Sequence, residues 1–417
     1  MAATRLKFLL IIALLLASAG VLPCLGQTRP AVEVAFSTGS VIKADPYERQ
    51  WLLHTPVKMA HVALRWRTTP HEGDDFARDY GYPEWSLGLM YGDYSDVLMH
   101  KSPSTAWGMA EEVDYTSDMG RVYTLFAGFS RPLHRSYRLS AGYALDAGLA
   151  YGTKPYNKHD NVDNELTGSR PLIYFGASLY ASYRLTPRLS LRADLAFRHV
   201  SNGALDRPNK GANSISPSIA VQYDLDAVPP ERYAPKPPRT PFADKRLYLS
   251  AAVGVGGKAL LEEWLLTQFR TAPTEASYRT GHFRIYTAYS MQFDLMYRHS
   301  RRWASGIGAD LFYGTYSDRV KEIDAGSGSL RRHYSPFSAG IALKHEAFYH
   351  NWSMFVSLGV YAYRHMGAAA RTEETPYYER VGIRYHLPRL HNLHIGAAVK
   401  AHKTKADLTE VIIGMNF

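Results

Sequence analysis

The sequence predicts an all-β protein, a transmembrane antiparallel β-barrel, and three observations lead to this fold class. Apolar and polar residues alternate over many segments of about ten residues, the pattern of strands with lipid on one side and a polar interior on the other. The 417 residues include 30 Tyr and 32 Gly, and aromatic residues make up 13%. No later segment has the roughly 20 consecutive apolar residues of a membrane-spanning helix, which excludes a helical membrane protein.

The N-terminus has the layout of a secretory signal peptide over residues 1–26. A basic start is followed by an apolar stretch at 8–16 and then by small residues. We predict cleavage after Gly26, which leaves no cysteine in the mature chain. A lipoprotein signal at Cys24 is the alternative, but Pro23 stands where such a signal needs a small residue. The chain is therefore expected to be exported.

The formal net charge is +10, which in a soluble protein would suggest a nucleic-acid partner. Export argues against nucleic acid. At a membrane the same balance suits anionic lipid head groups, although Arg and Lys scattered over loops and a barrel interior would give the same sum. The charge is compatible with a membrane location and does not by itself establish one.

Period-2 alternation predicts two series of eight strands on either side of a proline-rich linker at 228–244. Proline at this density cannot serve a β ladder, so the linker is expected to be extended. We predict two tandem eight-stranded barrels, at 27–227 and 245–417. One barrel of about 16 strands is the alternative, but it would need a short turn here. The predicted strands are 31–41, 57–67, 84–92, 120–131, 136–152, 171–184, 189–201, 214–224, 246–256, 283–297, 301–314, 334–347, 351–364, 377–386, 391–402 and 407–417.

The two halves share internal sequence similarity. WSLGLMYGDYSD, which begins at Trp85, recurs loosely as WASGIGADLFYGTYSD from Trp303. The segment that ends at His199 likewise parallels the one that ends at His402. We interpret this as an internal duplication of an eight-stranded unit. Since the longer loops of such barrels face outwards, we expect an extracellular position for loops 93–119, 153–170, 202–213 and 315–333.

The predicted strand 189–201 carries candidate catalytic side chains. Because side chains alternate along a strand, His199 and Ser201 continue its apolar, lipid-facing side at the extracellular end, and Asn213 shares that side on the next strand. Polar groups that face lipid are costly unless they have a partner or a purpose. A hydroxyl, an imidazole and a carboxamide at one depth form a minimal set for nucleophilic acyl transfer. Ser201 would attack, His199 would take its proton, and Asn213 would orient the ring.

The surrounding segment FRHVSNGALDRPNKGANSISPSIAVQYDL, from Phe197 to Leu225, closely resembles the lipid A 3-O-deacylase family, often called acyloxyacyl hydrolases. The family pattern is His-x-Ser-Asn, a loop, and then Asn-x-Gly. The resemblance implies a barrel in the outer membrane of a Gram-negative cell that removes an ester-linked acyl chain from the lipid A of lipopolysaccharide, with no metal or cofactor. The matching residues here are His199, Ser201, Asn202, Asn209 and Gly211.

The resemblance also implies roles for individual residues. Ser201 would be the nucleophile, His199 the general base and Asn202 a contributor to the oxyanion hole, with Gly203, Asn209 and Gly211 in the adjoining loop. The family's acidic third residue corresponds to Asn213. An amide can hold a histidine tautomer, as in Cys-His-Asn sites, but it stabilises the imidazolium less, so a reduced rate is expected.

Other candidate sites carry weaker signals. DNVDNE at 160–165 lacks the spacing of a defined calcium loop and is interpreted as a solvated surface turn. In the second half, alternation turns His402 and Thr404 inwards and no serine follows the histidine by two residues, so this half is expected to be catalytically silent. The competing function is a non-catalytic barrel that acts as a pore or binds lipopolysaccharide, although small inward side chains on 137–151 argue against a wide channel. Nothing in the sequence indicates an oligomeric state.

Overall fold

The computed structural model describes residues 29–70, 73–228, 241–372, 375–403 and 405–417. It contains two closed antiparallel barrels of eight strands each, so the predicted fold class is confirmed and a single barrel of about 16 strands is excluded. The predicted signal peptide 1–26, the central part of the linker at 229–240 and Thr404 lie outside the described residues.

The first barrel closes between its first and last strands. Ala35 lies opposite Ala220 in this closing ladder, and every other pair of neighbours is joined by a hairpin or a longer loop. The strands are β1 (Arg29–Val41), β2 (Pro56–Arg67), β3 (Glu84–Asp93), β6 (Arg121–Arg135), β7 (Leu139–Gly152), β8 (Pro171–Arg184), β9 (Leu189–Ser201) and β10 (Ala212–Asp224), and a separate two-stranded ribbon is formed by β4 (Leu98–Met99) and β5 (Ser117–Asp118).

The second barrel repeats this topology and closes between Arg246–Ala259 and Lys405–Asn416. Its strands are β11 (Arg246–Ala259), β12 (Ile285–Arg298), β13 (Trp303–Gly314), β14 (Phe337–Tyr349), β15 (Trp352–Arg364), β16 (Tyr377–Leu387), β17 (Leu393–His402) and β18 (Lys405–Asn416). The observed bounds lie within a few residues of the predicted ones. The largest difference is in β6, which continues past residue 131 because a bulge between Pro132 and His134 accommodates the proline without ending the strand.

Burial alternates along the strands, which explains why this sequence forms barrels. On the outer side large apolar side chains are exposed, and Phe36, Leu89 and Leu179 each expose about two thirds of their surface. On the inner side Ser214 and Ser216 are fully buried. A closed barrel satisfies every backbone ladder internally, so it can present an apolar outside to lipid.

Charged side chains fill both interiors and pair with one another. In the first barrel Arg192 contacts Asp194 at 2.7 Å. In the second, Lys344 contacts Asp310 at 2.6 Å and Arg380 contacts Glu410 at 2.9 Å. Asp194 is partly exposed and the other five are buried. Paired charges therefore occupy the interior, in line with the small-barrel interpretation of the sequence.

The helices lie between the strands and are short. Within the described parts of the chain, none of them has the length and apolar character needed to cross a membrane. The chain divides into two units, one for each barrel, and the segments Pro103–Glu111 and Gly203–Asn209 group with the second unit. The helices are Glu48–Trp51, Asp75–Asp79, Leu261–Phe269, Ser317–Gly326 and Ala369–Thr372, with 3-10 turns at Thr105–Trp107 and Pro388–Leu390.

Candidate active site

Three polar side chains meet at one end of the hairpin formed by β9 and β10. In the ladder His199 lies directly opposite Asn213, and Ser201 is the last residue of β9. The imidazole Nδ1 lies 2.8 Å from Asn213 Oδ1, and Nε2 lies 2.9 Å from Ser201 Oγ. The three residues that the sequence singles out for acyl transfer are therefore in hydrogen-bond contact, in the order hydroxyl, imidazole, carboxamide.

This order has a chemical consequence for the imidazole. The Asn213 amide oxygen beside Nδ1 accepts a hydrogen bond from Nδ1–H, which leaves Nε2 unprotonated and able to accept the Ser201 hydroxyl proton. Acyl-transfer triads use the same tautomer. The site is half-buried at His199 and Asn213 and only 5% exposed at Ser201. Neighbours on the same side include Phe175, opposite His199 on β8, and Ile215, which is 47% exposed.

Position 211, two residues before Asn213, has no room for a side chain. Its φ is +74°, a left-handed conformation that side chains disfavour. A Cβ atom at this position would lie 2.6 Å from His199 Cε1 and 3.1 Å from Ser201 Cβ. The absence of a side chain therefore lets the main chain lie against the edge of the imidazole. This contact could not be read from spacing alone.

The remaining loop residues of the predicted site differ in their placement. Asn202 directly follows the nucleophile candidate and is 3% exposed. Gly203, with φ of +61°, and Asn209, which is 7% exposed, fall in the segment that groups with the second unit. A contribution of Asn202, Gly203 and Asn209 to an oxyanion hole stays a prediction.

The acidic segment at 160–165 is not a solvated turn, and this interpretation of the sequence was wrong. Asp163 and Glu165 are 1% and 2% exposed and both contact the ammonium group of Lys101. The missing signal was a lysine some 60 residues away, which local sequence cannot identify as a partner. Within the described residues, no group of three or more His, Cys, Asp or Glu side chains is arranged to hold a metal ion.

The second barrel contains Ser–His contacts that sequence reasoning missed. Ser353 Oγ lies 2.8 Å from His386 Nε2, but the same nitrogen faces Glu346 at 3.3 Å, so the three groups are not aligned as a relay. Ser305 Oγ lies 2.9 Å from His345 Nδ1 on an outward-facing pair of positions. Cross-strand register brings these residues together, and no short motif signals them.

His402 occupies the position in the second half that parallels His199. It is buried and its Nε2 contacts Tyr361 and Arg364 at 2.9 and 2.8 Å. The inward orientation predicted for His402 is therefore confirmed. This imidazole contacts a phenol and a guanidinium in place of a serine hydroxyl.

These features define a class of protein, the outer-membrane β-barrels, with an aligned Ser–His–Asn arrangement on the outer side of one barrel. Comparison with known families identifies the family. A model described as "Lipid A 3-O-deacylase (PagL)" matches residues 60–222, and one described as "Acyloxyacyl hydrolase, C-terminal domain" matches 247–417. The two models together cover most of the chain, and they assign residues 60–222 to the lipid A 3-O-deacylase family and residues 247–417 to the C-terminal domain of acyloxyacyl hydrolases. These matches indicate hydrolase activity on lipid A at the outer membrane.

Other comparisons are more distant. No curated protein sequence matches the chain. Among solved structures, neisserial surface protein A shares 13% identity over 48% of this chain and 97% of its own, with a TM-score of 0.28. The alcaligin outer-membrane receptor FauA of Bordetella pertussis shares 11% identity over 93% and 76%, with a TM-score of 0.23. The ferric enterobactin receptor PfeA of Pseudomonas aeruginosa shares 12% over 93% and 67%, with a TM-score of 0.26.

Proposed function

We propose that this protein is an outer-membrane serine esterase that removes an ester-linked acyl chain from the lipid A of lipopolysaccharide. The observation that carries the proposal is the unbroken contact from Ser201 Oγ through His199 to Asn213 Oδ1, at 2.9 and 2.8 Å. The arrangement lies on the outer, apolar side of the first barrel, the side that would face the acyl chains of a membrane. The mechanism needs no cofactor.

The reaction follows from the order of the three groups. Ser201 Oγ attacks the ester carbonyl carbon while His199 Nε2 takes the hydroxyl proton, and the negative charge moves onto the carbonyl oxygen. The Asn202 region is proposed to stabilise this oxyanion. The tetrahedral intermediate then breaks the bond to the sugar oxygen, which receives the proton from His199. Water, deprotonated in turn by His199, hydrolyses the acyl-enzyme to release the fatty acid and regenerate Ser201.

The domain layout forms part of the proposal. Residues 1–26 would direct export, 27–227 would form the catalytic barrel, and 228–244 would be the linker to a second, catalytically silent barrel at 245–417. This assignment is supported by the difference between His199, which contacts Ser201, and the parallel His402, which contacts Tyr361 and Arg364.

Ser201→Ala tests the proposed function directly. In cells that express the full chain, lipid A should lose one acyl chain, whereas cells that express Ser201→Ala should keep fully acylated lipid A. Mass spectrometry of lipid A measures this difference, and heat-modifiable migration on gels checks that the wild-type protein and the variant both fold. Identical lipid A from the two strains, with both proteins folded, would contradict the proposal.

A non-catalytic barrel that binds lipopolysaccharide is the second candidate, and Asn213 favours it because the family's acid is missing here. A pore is disfavoured by the paired charges that fill both interiors. Conductance in planar bilayers that Ser201→Ala leaves unchanged would support a pore.

Asn213→Asp should raise the turnover rate about 10-fold if the site is catalytic. A carboxylate would accept the same hydrogen bond from Nδ1–H and would in addition stabilise the imidazolium that forms as Ser201 attacks. Rates of fatty-acid release from purified lipid A in detergent measure the effect. Asn213→Ala is the matched control and should lower the rate, since it removes the acceptor. A lower rate for the aspartate variant than for the alanine variant would contradict this account of Asn213.

A further inference from the structure

The main chain just before Asn213 is held by another loop of the same barrel. Lys210 N donates to Glu165 O at 3.2 Å, and Gly211 N donates to Leu166 O at 2.8 Å. These two hydrogen bonds join the segment 210–211 to the loop between β7 and β8. Because Gly211 lies against the imidazole edge, the position of this loop sets how closely the main chain approaches His199.

The side chain of Glu165 anchors that loop to Lys101 and Tyr47. Its Oε1 atom accepts from Lys101 Nζ at 2.9 Å and from the Tyr47 hydroxyl at 2.6 Å. Burial, together with the adjacent Glu165 carboxylate, raises the pKa of the Tyr47 hydroxyl well above its usual value of 10.0. Tyr47 therefore stays protonated at neutral pH and donates to Glu165.

Lys101 is bound on a second side by Asp163. Its ammonium lies 3.5 Å from Asp163 Oδ1, and its backbone N–H donates to Asp163 Oδ2 at 2.9 Å. Asp163 N in turn donates to Ser117 Oγ at 3.0 Å. Two carboxylates of one loop thus share a single buried cation, which fixes the loop by charge as well as by hydrogen bonds.

Tyr47 and the nearby Asp45 also contact Lys210 of the segment 210–211. Lys210 Nζ lies 3.3 Å from Asp45 Oδ2 and 4.6 Å from the centre of the Tyr47 ring. Tyr47 therefore touches Glu165 through its hydroxyl and Lys210 through its ring. These contacts connect the buried ion pair to the residue that precedes Gly211.

We infer that Glu165 and Lys101 are positioning residues for the Ser201–His199–Asn213 site. Their ion pair fixes the loop whose main chain holds residues 210 and 211, and this places Gly211 against His199 and Asn213 beside Nδ1. The effect on turnover rests on the proposed function, whereas the effect on the geometry of His199 does not. A displacement of about 1 Å in such a site can reduce a rate by about 100-fold.

Glu165→Gln tests the inference with two readouts on the full-length protein folded in detergent micelles. The substitution keeps the shape of the side chain and removes its charge. We expect kcat for lipid A deacylation to fall about 10- to 100-fold with KM nearly unchanged. We also expect the Nδ1–H proton of His199, observed by NMR with ¹⁵N-histidine and assigned by its absence in His199→Gln, to shift or broaden.

Asp224→Asn is the matched control because Asp224, like Glu165, is a buried carboxylate paired with a cation. It lies at the opposite end of β10 and contacts Arg184 at 2.8 Å and Arg67 at 3.2 Å. It should lower thermal stability about as much as Glu165→Gln and leave both kcat and the His199 proton unchanged. Lys101→Arg, which keeps the cation, should retain more activity than Lys101→Met.

The readouts separate the two proposals. An unchanged His199 proton in Glu165→Gln overturns the positioning role, whether or not the wild-type protein is active. If Glu165→Gln disturbs the His199 proton while the wild-type protein releases no fatty acid, the positioning role is supported and the proposed function is contradicted. Equal changes in kcat and in the His199 proton for Glu165→Gln and Asp224→Asn would reduce the effect to general destabilisation and also overturn the inference.

Discussion

Replacing His199 with glutamine should lower the rate of lipid A deacylation by about 1000-fold or more. In the proposed mechanism the imidazole takes the Ser201 proton, and glutamine has no basic nitrogen at the Nε2 position. Losses of this size follow removal of the base from Ser–His sites in general. Because the two residues act as one unit, His199→Gln combined with Ser201→Ala should be no slower than either single variant. Fatty-acid release from purified lipid A measures all three.

His345→Gln provides the matched control for this prediction. His345 also faces outwards, and its Nδ1 lies 2.9 Å from a serine hydroxyl, that of Ser305 in the second barrel. This substitution should leave deacylation unchanged. If His345→Gln removes activity and His199→Gln does not, the catalytic site belongs to the second barrel and the assignment made for the first is wrong.

Gly211→Ala is expected to lower the deacylation rate by about 100-fold. The new Cβ would lie 2.6 Å from His199 Cε1, too close for the ring to keep its position, and the φ of +74° adds backbone strain. A ring displaced by a few tenths of an ångström or more loses its alignment with Ser201 and Asn213. The measurement is kcat on lipid A, with gel migration as the check on folding.

Gly73→Ala separates the effect of backbone strain from the effect of the contact with His199. Gly73 has a similar φ of +64°, but among the described residues no atom beyond its chain neighbours lies within 4 Å of the Cβ that the substitution would add. It therefore introduces comparable backbone strain without the contact. Gly73→Ala should keep nearly full activity. Equal loss of activity in both glycine variants would show that strain, and not the contact with His199, accounts for the effect.

The alternation of apolar and polar residues predicted most of the fold. In a strand between lipid and a polar interior, successive side chains point to opposite sides, so the sequence alternates with them. The same rule placed His199 and Asn213 on one side of the hairpin, and the observed register puts them opposite each other. The order of the three side chains could be anticipated because they lie on adjacent strands joined by one loop. Because these residues are close together in the sequence, this part of the site could be predicted.

Contacts over long separations could not be predicted in this way. The ion pair of Lys101 with Asp163 and Glu165 joins loops about 60 residues apart, and local composition suggested a solvated turn. The Ser305–His345 contact depends on register between β13 and β14. Both join residues too far apart in the sequence for a local pattern to identify them.

Because the Ser201 site faces outwards, the rate of the proposed reaction should depend on the concentration of lipid A within the membrane. A substrate that stays in the bilayer reaches the site by lateral diffusion, and the deacylated lipid leaves by the same route. The relevant concentration is then the mole fraction of lipid A in the surface, and diluting it with inert lipid slows the reaction even when the bulk amount is constant. The rate of the enzyme would therefore vary with the composition of the leaflet that surrounds it.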